Sequence, residues 1–127
     1  MKQLHLDDSR LPATKTPRKS PRKVRQKEVE TTPAMLDYLT RRGCFVWRNN
    51  SGVVWAGKRC IRFGFKGSAD IIGLLPDGRF LAVENKSNGK PVTPEQVAFL
   101  DAVRSRGGVG VVVTGAEDLI RQMEEER

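Results

Sequence analysis

A chain of 127 residues, 38% of them hydrophobic, is long enough for one domain with a modest core. It has no apolar run near the ~18 residues of a membrane span, which excludes a transmembrane reading. Two cysteines, Cys44 and Cys60, and one histidine, His5, cannot supply the roughly four soft ligands of a zinc site. His5 also lies in a segment expected to be unfolded, so Ser-His-Asp and Cys-His nucleophiles have no base. An enzyme of this composition runs on carboxylates, lysine and a metal. Residues Met1 to Asp8 lack the apolar h-region of a secretory signal, and the expected location is the cytoplasm.

The formal net charge of +8 is unevenly spread. Residues 1–27 hold nine basic side chains against Asp7 and Asp8, and therefore +7 of that +8. With Pro12, Pro17 and Pro21 and few large apolar residues, the stretch cannot bury enough surface to offset its ordering entropy. It reads as a disordered basic DNA-binding arm, followed by a folded domain over 28–127. Within the arm, Thr16-Pro17-Arg18-Lys19 is followed directly by Ser20-Pro21-Arg22-Lys23. Such units resemble the minor-groove-binding repeats of chromatin proteins, in which arginine enters a groove of focused negative potential. A solvated tail with accidental periodicity is the plainer reading, and in both cases a polyanion is the natural partner.

In chain order, Thr32 followed by Pro33 predicts an N-cap and first helical position for a helix over 33–42, stopped by Gly43. Cys44–Trp47 predicts a short strand, Asn49-Asn50-Ser51-Gly52 a turn, and Val53–Trp55 a second extended stretch that Ala56-Gly57 turns back into Arg59–Phe63. Ala69–Leu75 and Arg79–Lys86 form a predicted hairpin around Pro76-Asp77-Gly78. Thr93-Pro94-Glu95-Gln96 carries a capping-box pattern and opens a helix running to Arg106. Val109–Val113 predicts a buried strand and Ala116–Glu125 a last helix. Helix, β-meander, helix, strand, helix is the order of an α/β sandwich with a mixed sheet.

Chemistry concentrates on the hairpin. Glu84 and Lys86 are two positions apart and share a face of a strand that looks internal, where charges need a reason. Whether Asp70 joins them depends on register. A two-residue loop at Asp77-Gly78 leaves Asp70 and Glu84 on opposite faces, whereas a three-residue loop with Gly78 left-handed sets them directly opposite each other. Local chemistry accepts both. In the second register the two carboxylates lie close enough to share a hard divalent cation. Lys86 would then orient or help to deprotonate the attacking water, or offset charge on a scissile phosphate, and the site would hydrolyse phosphodiesters.

Asp70, Glu84, Asn85 and Lys86 resemble the signature of the PD-(D/E)XK nucleases, with Ala69-Asp70 in place of the usual Pro-Asp. Lys66-Gly67-Ser68-Ala69-Asp70-Ile71-Ile72-Gly73, Phe80 to Lys86 and Thr93-Pro94-Glu95-Gln96 are similar to the VRR-NUC branch, common in phages. So is the stretch from Leu36-Asp37-Tyr38-Leu39 to Trp47-Arg48-Asn49-Asn50-Ser51-Gly52, and together the similarity spans about 28–120. The resemblance implies a restriction-endonuclease-like α/β fold, with a mixed sheet flanked by helices. It further implies Mg²⁺ or Mn²⁺ held by Asp70, Glu84 and the Asn85 carbonyl, and an additional acid near the first helix, Glu30 or failing that Glu28. Stand-alone members tend to be homodimers acting on branched DNA such as Holliday junctions. The expected setting is a bacterial or phage-infected host cytoplasm. The expected activity is a Mg²⁺-dependent endodeoxyribonuclease; a non-catalytic DNA-binding or architectural protein and an enzyme acting on RNA or single strands are the alternatives.

Other residues carry two readings each. Gln96 matches a glutamine placed near the metal in that branch, and it is equally the third position of the Thr93 capping box. Arg48, Asn49 and Asn50 either contact phosphates at the mouth of the site or serve the turn. Lys66 approaches the scissile phosphate or is a solvated loop lysine. Arg18, Lys19, Arg22 and Lys23 are the arm's candidate DNA contacts. Trp47 and Trp55 are expected in the core or an interface, and Glu124-Glu125-Glu126 is a solvated helix end.

Overall fold

The computed structural model describes residues 30–126. The arm expected over 1–27, with Arg18, Lys19, Arg22 and Lys23, lies outside the described residues, as does Glu28. The elements are α1 (Thr32–Arg41), β1 (Phe45–Arg48), β2 (Gly52–Ala56), β3 (Arg59–Phe63), β4 (Ile71–Leu74), β5 (Phe80–Asn85), α2 (Pro94–Ser105), β6 (Val109–Val113) and α3 (Ala116–Glu125).

Four strands form a mixed sheet in the order β1-β4-β5-β6, antiparallel at the first two pairings and parallel at the last. Alternation along the strands divides the apolar residues between two layers. Ile71, Leu81, Val83, Val109, Val111 and Val113 pack with Met35 and Leu39 of α1 and Leu119 and Met123 of α3. On the other face Ala82 packs with Leu100 of α2 and Ala69, joined by Ile72 and Val112. This α/β sandwich matches the fold class expected from the sequence. β5 is internal and buried through Glu84, the one charged residue among the buried side chains of the described residues. Among those residues no helix is long and apolar enough to cross a membrane.

Two expectations are corrected. The chain does not run as a continuous meander: β1 pairs with β4, while β2 and β3 pair only with each other as a separate hairpin. The β1–β4 pairing is permitted by Gly73, where a Cβ would lie 2.0 Å from the Phe45 carbonyl oxygen. Because nothing in the main sheet covers the excursion, Trp55 is 66% exposed, and Trp47 on edge strand β1 is 45% exposed, so neither is a core residue. At α1 the N-cap is Thr31 rather than Thr32, and Pro33 falls one position later than expected. The Thr31 hydroxyl makes no capping bond, because it accepts from Asn85 Nδ2 at 2.7 Å and donates to Ser87 Oγ at 3.2 Å. Glu30 caps instead, its Oε1 accepting from the Thr32 N–H at 3.3 Å.

Candidate active site

The β4–β5 turn decides which side chains meet. Leu75 N–H donates to the Arg79 carbonyl at 2.8 Å, Gly78 N–H donates to the Leu75 carbonyl at 2.9 Å, and Gly78 has φ +90°. This is the three-residue loop with a left-handed glycine. The register that follows pairs Leu74 with Phe80 and Ile71 with Val83, and its next step sets Asp70 opposite Glu84. Since Leu75 and Arg79 form a hydrogen-bonded pair, alternation makes Asp70 and Glu84 a non-hydrogen-bonded one, the closer of the two antiparallel geometries, with Cα atoms about 4.5 Å apart. Two carboxylates are thereby brought together by main-chain geometry.

The ladder stops just there, because the Ala69 carbonyl, which the register would give to Asn85, accepts from Asn49 Nδ2 at 3.0 Å. Asn49 Nδ2 also donates to Ser68 Oγ at 2.6 Å, and its N–H to the Asp70 carbonyl at 2.8 Å. The freed Asn85 N–H donates to Asp70 Oδ2 at 2.7 Å, which orients that carboxylate. Lys86 N–H points to β6, donating to the Val113 carbonyl at 2.7 Å. Strand alternation turns the Asn85 carbonyl the other way, to the Asp70 side.

Glu84 is 2% exposed. Its Oε1 accepts from Gln96 Nε2 at 2.9 Å and lies 3.5 Å from Lys86 Nζ, so Lys86 is on the Glu84 side of the sheet. Its Oε2 is buried and makes no hydrogen bond with any described residue. Burial pushes the Glu84 carboxyl up to about 7; the neighbouring Asp70 charge adds to the rise and Lys86 opposes it. An ionised carboxylate with a dry, unpartnered oxygen is costly unless a cation completes it. The oxygen set of Glu84, Asp70 and the Asn85 carbonyl is that of a hard divalent ion such as Mg²⁺ or Mn²⁺. Among the described residues no cluster of three or more His, Cys, Asp or Glu side chains forms, so such an ion would rest on two carboxylates, a carbonyl and water.

Gln96 closes the capping box and also touches Glu84. Its N–H donates to Thr93 Oγ1 at 3.2 Å and its Oε1 accepts from the Thr93 N–H at 2.9 Å, closing the capping box, while Nε2 reaches Glu84. Glu30 lies ahead of α1 rather than on it, and lines the same cleft as Asp70. Both its oxygens are engaged, Oε1 by Thr32 and Oε2 by Arg48 Nη2 at 2.8 Å, and these contacts hold its carboxyl below the usual range. Lys66 lies 3.5 Å from Glu95 at the start of α2, both half-exposed. Asn50 is exposed, and Asn49 is a clamp on the Asp70 segment. Sequence reasoning missed Thr31, Ser87 and Asn88 at this cleft. Asparagine's habit of bonding nearby backbone was a signal for Asn49, though not for a partner twenty residues away.

A mixed sheet carrying opposed carboxylates and a lysine beside the end of its internal strand is the arrangement of a nuclease-like α/β protein. The family model for the VRR-NUC domain matches residues 53–117, just over half of the chain, and the chain belongs to that family. Among curated proteins and among solved structures, nothing matches it. Membership carries a nuclease-type, DNA-processing function, in a family whose chemistry is typically metal-dependent.

Proposed function

We propose that the protein is a Mg²⁺- or Mn²⁺-dependent endodeoxyribonuclease that hydrolyses phosphodiester bonds in branched DNA, Holliday junctions among them. The observation that carries this reading is the buried Oε2 of Glu84, without a partner among the described residues and set opposite Asp70 with Lys86 on the same side. Asp70, Glu84 and the Asn85 carbonyl hold the cation. When bound, it acidifies water and offsets charge on the reacting phosphate. Gln96 fixes Glu84 by occupying Oε1, which leaves Oε2 for the ion. Lys86, at 3.5 Å from Glu84, offsets the buried charge and presents its ammonium to the attacking water or the phosphate. Glu30 is a further acid at the mouth of the cleft. Arg48, Asn50 and Lys66 contact the DNA backbone, together with Arg18, Lys19, Arg22 and Lys23 of the arm.

A homodimer is part of the same reading. Val53, Val54, Trp55, Ile61 and Phe63 are between 43% and 66% exposed on the β2–β3 hairpin, and a two-stranded hairpin is marginal in water unless something packs on it. Trp55→Glu is expected to halve the mass measured by light scattering; a wild-type chain that is monomeric at tens of micromolar would overturn the dimer.

The deciding experiment incubates the protein with four-way junction, flap, linear duplex, single-stranded DNA and RNA, in Mg²⁺ and in EDTA. The expected result is cleavage of the junction in Mg²⁺ alone. Tight binding without cleavage of any substrate would favour the architectural reading, and preferential cleavage of RNA or single strands the third.

A further inference from the structure

Between the start of α1 and the end of β1 lies a cleft of about 210 Å³, lined by Glu30, Thr31, Arg48, Asp70, Ser87 and Asn88 among others. It borders the candidate cation site through Asp70, which lines it. Most of its acceptors are consumed: both Glu30 oxygens are engaged, Asp70 Oδ2 accepts from Asn85 N–H, Asn85 Oδ1 accepts from Ser87 N–H and Asn88 Oδ1 accepts from Lys90 N–H, while Asp70 Oδ1 accepts from none of the described residues. What is left over is mostly donors. Arg48 uses only Nη2 on Glu30, so among the described residues its Nε and Nη1 donate to nothing. Ser87 Oγ accepts from Thr31, which leaves its own O–H to donate, and Asn88 Nδ2 has no acceptor among the described residues. A guanidinium, a hydroxyl and an amide with spare N–H and O–H groups around one cleft match the oxygens of a phosphate.

We infer that this cleft is a subsite for the phosphate neighbouring the scissile one, held by Arg48, Ser87 and Asn88, an assignment that rests on the nuclease reading. Glu30 serves it by holding Arg48 at the cleft: a guanidinium has five N–H donors, so Arg48 grips Glu30 and a phosphate together. Thr31 serves it by orienting Ser87. The subsite sets which phosphate along the strand reaches Asp70 and Glu84, and so acts in positioning the substrate.

The test is a titration of the full-length protein in EDTA with a 5′-phosphorylated deoxydinucleotide, followed by NMR at the Arg48 Nε–H and Asn88 Nδ2 signals. Saturable shifts at both are expected, with the dissociation constant raised about tenfold in Arg48→Ala and several-fold in Ser87→Ala. Arg48→Lys should recover only part of that loss, since it keeps the charge and not the fork. Absence of shifts at these groups, or equal affinity of wild type and Arg48→Ala, overturns the subsite. Shifts produced by Mg²⁺ alone and not by the dinucleotide would overturn it too, making the cleft a cation site. Because the titration needs no cleavage, a protein that cuts DNA without these shifts refutes the subsite alone, and one that shows them but cuts nothing refutes the nuclease reading alone.

Discussion

Glu84, only 2% exposed, places in the site a carboxyl with one oxygen that has no partner among the described residues. Its proton binds more tightly in the fold, to about 7 against an ordinary 4.5, because burial and Asp70 disfavour the charge. Between those two pH values the folded state keeps a proton that the unfolded chain has lost, so stability falls as pH rises through about 7 and levels off above it. The loss is on the order of 2–3 kcal/mol. Chemical denaturation in EDTA at pH 5 and pH 8 should show it as a difference between wild type and Glu84→Gln, and Mg²⁺ at pH 8 should restore wild type but not the variant. No dependence on Glu84 would contradict the buried-charge account. In the proposed function the same residues govern the chemistry, so Asp70→Asn and Glu84→Gln should each lower cleavage by roughly 10³-fold or more while DNA affinity holds or rises. Either variant cutting at the wild-type rate, or wild type cutting in EDTA, would sink the assignment.

Secondary-structure elements reach the site through their ends. The start of α2 is the clearest case, since one side chain, Gln96, both closes the capping box and fixes Glu84. Thr93→Ala should lower stability by about 1 kcal/mol through the lost cap, with a modest fall in cleavage as Gln96 loosens. Gln96→Ala should reduce cleavage more than Thr93→Ala at a similar loss of stability, because it also frees Glu84 Oε1. Denaturation and cleavage rates measured on both variants separate the two roles; equal rates would show that the contact with Glu84 is incidental. The end of β1 acts similarly, with Asn49 taking the Ala69 carbonyl and so turning the Asn85 N–H onto Asp70.

At the scale of the whole molecule, charge and chemistry occupy different parts of the chain: residues 1–27 hold +7 of the +8, and every proposed cation ligand lies beyond them. Each phosphate contact contributes about −0.9 to the slope of log affinity against log salt, so deleting 1–27 should flatten that slope by several units. The truncated protein should still cut at saturating concentration. Greater loss on A·T-rich than on G·C-rich duplex would reveal groove insertion by Arg18 and Arg22. An unchanged slope would make the arm a bystander.

The sequence by itself determined the elements whose signals are local: the capping box at Thr93, α3 over Ala116–Glu125, β6, and the charge asymmetry of the chain. It also carried the family, through the spacing of Asp70, Glu84 and Lys86 and the residues around them. It left the register of the β4–β5 hairpin open, because both loops suit Pro76-Asp77-Gly78 and a one-residue slip reverses a strand's faces at no local penalty. Only the tertiary structure decided that, since the fold must bury Ile71, Leu81 and Val83 against α1 and α3, and this choice sets Asp70 against Glu84. The β2–β3 excursion, the exposure of both tryptophans and the Asn49 clamp were decided there as well. They depend on pairings between residues far apart in the chain, which neither propensity nor periodicity encodes.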